Sequence, residues 1–283
     1  MSKFFDQTVR SRDMAAPFEE VKQPEAHKGP EVVPAPNTTS AELEVAVLDD
    51  CRRVETPLSS ILQSQFPGSD SLEPVQDAYR ALRTRLLRLR SAQGLRSMVI
   101  TSAVQGEGKT LTSLNLAMCC AQLHDMRVLL VDTDIRSHGL TRLIGSPPGP
   151  GLSEVLAGTC APENAILSTD LPNLHVMTGG TPTMPPVELL ASHRFQEFVG
   201  WSTETFKLVL FDAPPVLNLA DVEIITAGCD GVLMVVRAQK TRREVLQKSA
   251  GQIDAKKLLG VVYNAAEGAH HHYTYAYQGA AEK

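Results

Sequence analysis

The chain has 283 residues, of which 43% are hydrophobic and 21% are charged, and its formal net charge at pH 7 is −5. This apolar content is enough for a packed core, and the acidic balance disfavours a protein that binds nucleic acid or an anionic membrane through a basic surface. No stretch approaches the roughly 18 consecutive apolar residues of a membrane span, and no apolar signal segment follows the first residues, so we expect a cytoplasmic protein.

The first 70 residues show no sustained periodicity, and the passage from Gln23 to Ser40 is rich in proline, serine and threonine. Segments of this composition bury too little apolar surface to fold alone, so residues 1–70 are predicted to be a mostly disordered arm. Within it, Ala41 to Arg53 has enough leucine, valine and glutamate to form a helix or a strand when docked. The folded domain is predicted to span residues 71–265.

From Glu73 onward the sequence predicts an amphipathic helix with a basic face. Apolar residues recur there at spacings of three and four, namely Val75, Tyr79, Leu82, Leu86 and Leu89. Arginines lie largely between them. Asp77, Arg80 and Arg83 are three residues apart, so they share one face of this helix. Such a face is either solvated or part of an interface made of ion pairs.

After Gly94, short apolar runs of strand length alternate with helical patterns. This alternation predicts an α/β fold in which helices cover both faces of a mostly parallel sheet. The predicted strands are Ser97–Thr101, Arg127–Asp132, Leu174–Met177, Lys207–Asp212, Gly231–Val236 and Leu259–Tyr263. The predicted helices in this part are Leu111–Leu123 and Arg242–Ile253.

The segment Gly106-Glu107-Gly108-Lys109-Thr110 follows a predicted strand and precedes a predicted helix, which is the context of a P-loop. Backbone N–H groups of such a loop and of the helix N-terminus surround phosphate oxygens. Lys109 is expected to reach the β- and γ-phosphates of ATP, and Thr110 is expected to offer its hydroxyl to Mg²⁺. The alternative, a glycine-rich turn that happens to precede Lys-Thr, is disfavoured by the strand before it and the helix after it.

Two further predicted strands end in carboxylates. One continues as Asp132-Thr133-Asp134-Ile135-Arg136, and the other ends at Asp212 before Ala213-Pro214-Pro215. Open α/β sheets bind ligands at the carboxyl ends of their strands, and Mg²⁺ prefers oxygen ligands. The candidate metal ligands are therefore Thr110, Asp132, Asp134 and Asp212. Taken alone, Asp-Thr-Asp fits turn formation equally well.

The last residues, 266–283, are predicted to form a flexible tail. Three of the five tyrosines in the chain, Tyr273, Tyr275 and Tyr277, lie there within five positions, beside three consecutive histidines. Their neighbours are polar or small, so burial in a core does not explain them. They are either phosphate acceptors or part of an adhesive or weakly metal-binding tail.

These motifs, in this order, resemble the bacterial tyrosine kinases of the polysaccharide co-polymerase system, the cytoplasmic CpsD/CapB-like type of P-loop NTPase. The resemblance covers about residues 71 to 265 and the tail. It implies ATP-dependent phosphorylation of the tail tyrosines, with Lys109, Asp132, Asp134 and Asp212 as catalytic residues. Asp132 is the first choice for the proton acceptor. The implied nucleotide-binding residues are Gly106, Glu107, Gly108, Lys109, Thr110, Leu111 and Asn264, although Asn264 is equally explained as a polar end to the last strand.

The resemblance also implies partners and a place in the cell. Asp77, Arg80 and Arg83 match the spacing of the family's oligomerisation helix, which implies a ring-like homo-oligomer. A separate membrane polysaccharide co-polymerase is expected to activate the kinase and to hold it at the inner membrane, and a phosphotyrosine phosphatase is expected to oppose it. The implied process is exopolysaccharide or capsule synthesis and export. The alternatives are a P-loop ATPase switch without kinase activity and a nucleotide-binding regulatory subunit of a polysaccharide export complex.

Overall fold

The structure is a computed structural model that describes residues 51–65, 73–146, 148–218 and 220–265. Most of the predicted arm and the whole predicted tail, with Tyr273, Tyr275 and Tyr277, lie outside the described residues.

An eight-stranded sheet forms the centre of the described part, in the order β1-β4-β5-β3-β6-β2-β7-β8. Neighbouring strands run parallel except for β4 and β5, which are antiparallel. The mostly parallel α/β sheet expected from the sequence is therefore confirmed. The strands are β1 (Arg52–Arg53), β2 (Ser97–Ser102), β3 (Val128–Asp132), β4 (Ile166–Ser168), β5 (Leu174–Met177), β6 (Leu208–Asp212), β7 (Gly231–Arg237) and β8 (Leu258–Asn264).

Helices lie on both faces of this sheet because alternate residues of each central strand point to opposite sides. Val99 and Leu129 belong to one apolar cluster, whereas Met98 and Leu130 belong to the other. The helices are α1 (Leu58–Gln65), α2 (Glu73–Gln93), α3 (Lys109–Ala121), α4 (Gly139–Leu143), α5 (Leu152–Ala157), α6 (Pro162–Ala165), α7 (Pro186–Leu190), α8 (His193–Thr205), α9 (Asp221–Gly228) and α10 (Arg243–Ala250).

The strand register brings the carboxyl ends of the three central strands together. Asp132, the last residue of β3, lies beside Asp212, the last residue of β6, and Asp212 also pairs with Ile100 of β2. Since β2 leads directly into the P-loop, the acidic strand ends and the phosphate-binding segment meet at one edge of the sheet. The predicted strands here differ from the observed ones by one residue or less at each end.

Residues 51–65 differ from the predicted arm because they form β1 and α1. Val54, Leu58 and Ile61 are buried in the same apolar cluster as Leu86 of α2. The amide of Leu58 donates to Asp170 Oδ1 at 3.1 Å. Contacts with residues more than 100 positions away stabilise this segment, and its own sequence carries little periodicity.

None of the helices in the described part combines the length and apolarity needed to cross a membrane.

Candidate active site

The P-loop bends tightly before α3 because two glycines adopt backbone angles that other residues rarely take. Gly106 has φ 82° and Gly108 has φ 91°. A Cβ on Gly108 would lie 2.0 Å from Nδ2 of Asn264, so a larger residue would displace that side chain. Lys109 and Thr110 occupy the first turn of α3, whose N–H groups have no intrahelical acceptor. This arrangement fits the phosphate-binding role predicted for the loop.

The ammonium group of Lys109 lies between the acidic strand ends. Its Nζ is 3.0 Å from Asp134 Oδ2 and 3.8 Å from Asp212 Oδ2, and it donates to Thr110 Oγ1 at 3.3 Å. Burial by itself lowers the pKa of Lys109, but the charges of Asp212 and Asp134 outweigh burial, so its pKa is raised. Lys109 is therefore a cation that connects the P-loop to the ends of β3 and β6.

Asp132 and Asp212 are both completely buried, and burial is the largest cause of their raised pKa values. Hydrogen bonds from Thr141 partly offset burial at Asp132. The pKa of Asp212 rises to about 7, although Lys109 opposes the shift. Carboxyl groups with raised pKa values accept a proton or a cation more readily than ordinary ones near neutral pH.

Asp134 has both carboxylate oxygens occupied. Its Oδ1 accepts from the amide of Ser137 at 3.1 Å, and its Oδ2 accepts from Lys109. Asp212 Oδ1 accepts from Ser113 Oγ at 3.1 Å. In contrast, Asp132 Oδ1 and Asp212 Oδ2 are buried and accept no hydrogen bond in the described part of the chain.

Asp212 Oδ2 and the Thr110 hydroxyl are suitable donors for Mg²⁺, while Asp132 Oδ1 can accept a proton or a water of the ion. Among the described residues, no group of three or more His, Cys, Asp or Glu side chains is placed to hold a metal ion. Mg²⁺ bound with a nucleotide keeps several waters and uses one or two protein oxygens together with phosphate oxygens. The donor set therefore fits Mg²⁺ that arrives with ATP, and the individual ligands stay a prediction.

Residues distant in sequence hold the P-loop in place. The Glu107 side chain is 3% exposed. One of its carboxylate oxygens accepts from the amide of Val104 at 2.9 Å, and the other accepts from the hydroxyl of Thr241. Asn264 Nδ2 donates to the backbone oxygen of Glu107 at 2.9 Å. Asn264 thus contacts the loop itself, and its predicted place near the nucleotide base is untested. The predicted nucleotide-binding residue Leu111 is half-buried in the first turn of α3.

Arg136, which ends the Asp-x-Asp-x-Arg motif, pairs with a residue that the sequence did not single out. Its Nε donates to Asp221 Oδ2 at 2.9 Å, and Asp221 is the first residue of α9. This ion pair joins the loop after β3 to the helix that follows β6. Thr141, Thr241 and Ser113 were also missed. Ser113 had a usable signal, since it lies four residues after Lys109 and therefore on the same helix face.

The three residues predicted to mediate oligomerisation have different surroundings. Asp77 and Arg80 form an exposed ion pair of 2.7 Å within α2. Arg83 donates to the carbonyl oxygen of Cys119 in α3 at 2.7 Å, so it also holds two helices of one chain together. Their role between subunits stays a prediction.

Comparison with known proteins adds independent information. Residues 96–255 match a family model described as an AAA domain. The tyrosine-protein kinase YwqD of Bacillus subtilis is 32% identical over 205 residues, which cover 72% of this chain and 86% of that protein. The tyrosine-protein kinase wzc of Salmonella typhi is 36% identical over 198 residues, which cover 67% of this chain but only 26% of that longer protein.

A solved structure has a similar fold. The kinase domain of Escherichia coli tyrosine kinase ETK superposes with a TM-score of 0.63 at 29% identity, and the match covers 67% of this chain and 74% of that chain. The similarity therefore extends over about two thirds of the chain, not only over short motifs.

Proposed function

The chain belongs to the bacterial tyrosine-protein kinase family, and we propose that it transfers the γ-phosphoryl group of ATP to tyrosines of its own C-terminal tail. The contact that supports this proposal is the one between the P-loop lysine and two carboxylates, one just after β3 and one at the end of β6. Lys109 Nζ lies 3.0 Å from Asp134 and 3.8 Å from Asp212, while Asp132 beside them keeps one buried oxygen without a hydrogen-bond partner.

In the proposed reaction, the phenolic oxygen of a tyrosine forms a bond to the γ-phosphorus while the bond from that phosphorus to the bridging oxygen breaks. ADP leaves with that electron pair, and the phenolic proton passes to Asp132 Oδ1. A tyrosine hydroxyl has a pKa of about 10, so a nearby base lowers the barrier to its loss of a proton. The raised pKa of Asp132 makes this carboxylate a better base than an exposed one.

Charge on the transferring phosphoryl group requires compensation, which is where most catalysis of phosphoryl transfer originates. Lys109 supplies a positive charge from the first turn of α3. Bound Mg²⁺ would neutralise phosphate charge and orient the β- and γ-phosphates, with Thr110, Asp212 and Asp134 as its candidate protein ligands or as acceptors for its waters. Asp212 and Asp134 also keep Lys109 in position.

The proposed acceptors are Tyr273, Tyr275 and Tyr277, which lie outside the described residues. The other two tyrosines are less suitable. Tyr79 is half-buried in α2 with its hydroxyl 3.5 Å from Thr112 Oγ1. Tyr263 is 64% exposed, but it lies within β8, whose backbone is paired with β7.

The direct test is incubation of the full chain with ATP and Mg²⁺, followed by phosphotyrosine blotting and mass-spectrometric mapping. The wild-type chain is expected to carry phosphate on the tail. Lys109→Met, which keeps the side-chain length and removes the charge, should lose at least about 100-fold in rate. A chain truncated after Gly268 should carry no phosphotyrosine but should still bind nucleotide. Melting curves verify that each variant is folded.

Mixing these two variants tests whether transfer occurs between subunits. The Lys109→Met chain has a tail but no active site, and the truncated chain has an active site but no tail. Phosphotyrosine on the Lys109→Met chain only after mixing is the expected result. Strong phosphotyrosine on unmixed Lys109→Met would contradict the proposed site. Phosphate release by the wild-type chain without any phosphotyrosine would favour the ATPase-switch alternative.

We further propose that the kinase assembles into a ring through the face of α2 with Asp77, Arg80 and Arg83, and that it regulates exopolysaccharide or capsule synthesis. Each phosphotyrosine adds roughly −1.5 to −2 charges, so several on one tail repel each other and the acidic site. This repulsion offers a route to disassembly, which a phosphotyrosine phosphatase would reverse. A membrane polysaccharide co-polymerase is the proposed activator, and it would place this chain at the inner membrane.

A further inference from the structure

Thr141, on the short helix α4, makes a double contact with Asp132. Its backbone amide donates to Asp132 Oδ2 at 3.0 Å, and its hydroxyl donates to the same oxygen at 2.8 Å. Both donors therefore engage one oxygen of the carboxylate. Asp132 is at the end of β3 and α4 begins seven residues later, so the contact closes the loop between these two elements.

A third group determines where the hydroxyl proton of Thr141 points. The amide of Gly179, just after β5, donates to Thr141 Oγ1 at 3.3 Å. A threonine hydroxyl has a single proton to donate, and an ionised carboxylate only accepts. Because the hydroxyl oxygen of Thr141 accepts from Gly179, the hydroxyl proton points to Asp132 and is donated there. Gly179, Thr141 and Asp132 thus form a directed chain of hydrogen bonds that ends on Oδ2.

The other oxygen of Asp132 has a different environment. Oδ1 is buried and accepts no hydrogen bond from any described residue, while the side chain as a whole is 0% exposed. The charged groups near this carboxylate are Asp134, Lys109 and Asp212, which lies beside Asp132 in the sheet. A buried carboxylate oxygen without a partner is costly for a folded protein, so its presence at the substrate-facing edge of the sheet indicates a use in ligand binding.

We propose that Thr141 is a positioning residue of this kinase. By holding Oδ2 with both of its donors, it sets the rotation of the Asp132 carboxylate and keeps Oδ1 as the oxygen that meets the tyrosine hydroxyl and takes its proton. The inference rests on the proposed tyrosine transfer and concerns the geometry of that site. Thr141 itself does not touch the substrate.

The test compares Thr141→Val with Thr141→Ser in the full chain. Valine has nearly the shape of threonine but no hydroxyl, whereas serine keeps the hydroxyl and both keep the amide. The measurements are the initial rate of phosphotyrosine formation at saturating ATP and Mg²⁺, and the dissociation constant of a fluorescent ADP analogue with Mg²⁺. Thr141→Val should lower the rate about 10-fold or more, since small displacements of a general base are costly. The dissociation constant should change less than about 2-fold, and Thr141→Ser should restore most of the rate.

A matched control separates this effect from a general loss of stability. Thr169 is also buried, and its hydroxyl donates to the carbonyl oxygen of Leu174 at 2.9 Å. Leu174 is the first residue of β5, which runs parallel to β3. Thr169 therefore lies at the end of the sheet opposite to the P-loop. Thr169→Val should lower the melting temperature about as much as Thr141→Val does, but it should leave the rate at saturating ATP unchanged.

Several results would overturn the inference. An unchanged rate in Thr141→Val would do so, as would equal losses of rate and ADP affinity or a failure of Thr141→Ser to restore the rate. If Thr141→Val does not fold, Thr141→Ala replaces it, and misfolding of both assigns Thr141 a structural role instead. A wild-type chain that releases phosphate without phosphotyrosine overturns the proposed transfer and this inference together. Normal phosphotyrosine in Thr141→Val overturns the inference alone.

Discussion

At the scale of single residues, the site is defined by four charged groups that are almost completely buried. Lys109 is 9% exposed, Asp134 is 2% exposed, and both Asp132 and Asp212 are 0% exposed. When all are ionised, one positive charge faces three negative ones. This excess of negative charge in a region of low dielectric favours a divalent cation. Burial is the largest cause of the raised pKa values of Asp132 and Asp212, and a neighbouring carboxylate adds to the shift at each of them.

The raised pKa of Asp212 predicts a pH-dependent stability. Below the ordinary pKa of about 3.9 this carboxyl group is neutral in both states and has no effect. Its pKa in the folded chain is about 7. Between the ordinary pKa and this value, the group ionises in the unfolded chain but stays protonated in the folded chain, so the free energy of unfolding falls as pH rises. Asp212→Asn removes that loss and keeps an oxygen for the Ser113 hydroxyl. Its melting temperature should therefore exceed that of the wild-type chain by roughly 2–4 °C or more at pH 8, and by less at pH 5.

Calorimetry in buffer with EDTA and without nucleotide makes this measurement. Asp254→Asn is a suitable control because Asp254 is exposed and its turn contact with the amide of Lys256 is one that asparagine also makes. Asp212→Asn should also be inactive as a kinase. The carboxyl group that lowers the stability of the folded chain would then be one that catalysis requires. A difference in melting temperature that stays constant from pH 5 to pH 8 would refute the argument.

At the scale of secondary-structure elements, the P-loop depends on two elements far along the chain. The hydroxyl of Thr241, in the segment between β7 and α10, donates to the Glu107 side chain, and Asn264 at the end of β8 donates to the Glu107 carbonyl oxygen. Only one described residue, Ala265, separates Asn264 from the tail. The conformation of the phosphate loop is thus held by the same edge of the sheet from which the proposed acceptor segment departs.

This arrangement predicts how Asn264→Ala affects nucleotide binding. If the main task of Asn264 is to hold the loop, the affinities for ATP and for GTP should fall by the same factor, roughly 2- to 10-fold for one net hydrogen bond. If Asn264 instead contacts the base, the two nucleotides should respond differently. Tyr263→Ala is the control, since Tyr263 is its exposed neighbour on β8. Titration with fluorescent analogues of both nucleotides distinguishes the two cases, and a loss confined to ATP would contradict the loop-holding role.

At the scale of the whole molecule, the exposed pair on α2 allows a test of assembly. Asp77 and Arg80 have side chains that are 70% and 49% exposed, and an exposed ion pair contributes at most about 1 kcal/mol to the stability of a single chain. Arg80→Glu should therefore leave the melting temperature almost unchanged. It should, however, shift the wild-type oligomer to a monomer, because it places like charges at the proposed interface.

Light scattering coupled to size-exclusion chromatography measures this change. Arg85→Glu is a matched control, since Arg85 is an exposed arginine of the same helix on a different face. Arg83 is a poor choice for the test because its guanidinium also holds α3 through the carbonyl of Cys119. Equal effects of Arg80→Glu and Arg85→Glu would indicate general charge repulsion instead of a specific interface.

The sequence by itself was sufficient for the P-loop, the central strands and the long basic helix, because their signals are local. Glycine spacing, a run of apolar residues and a helical repeat can each be recognised within a short stretch of sequence. It also placed Asp132 and Asp212 at strand ends, and the parallel fold then required these ends to meet at one edge.

Only the tertiary structure assigned the partners of these groups. Arg136 meets Asp221 across 85 positions, Asn264 meets Glu107 across 157, and Leu58 meets Asp170 across 112. Even Thr141, only nine positions from Asp132, carries no pattern that indicates which carboxylate oxygen it holds. A hydrogen bond of this kind depends on where the folded backbone places two side chains, and that position is the result of packing the whole sheet.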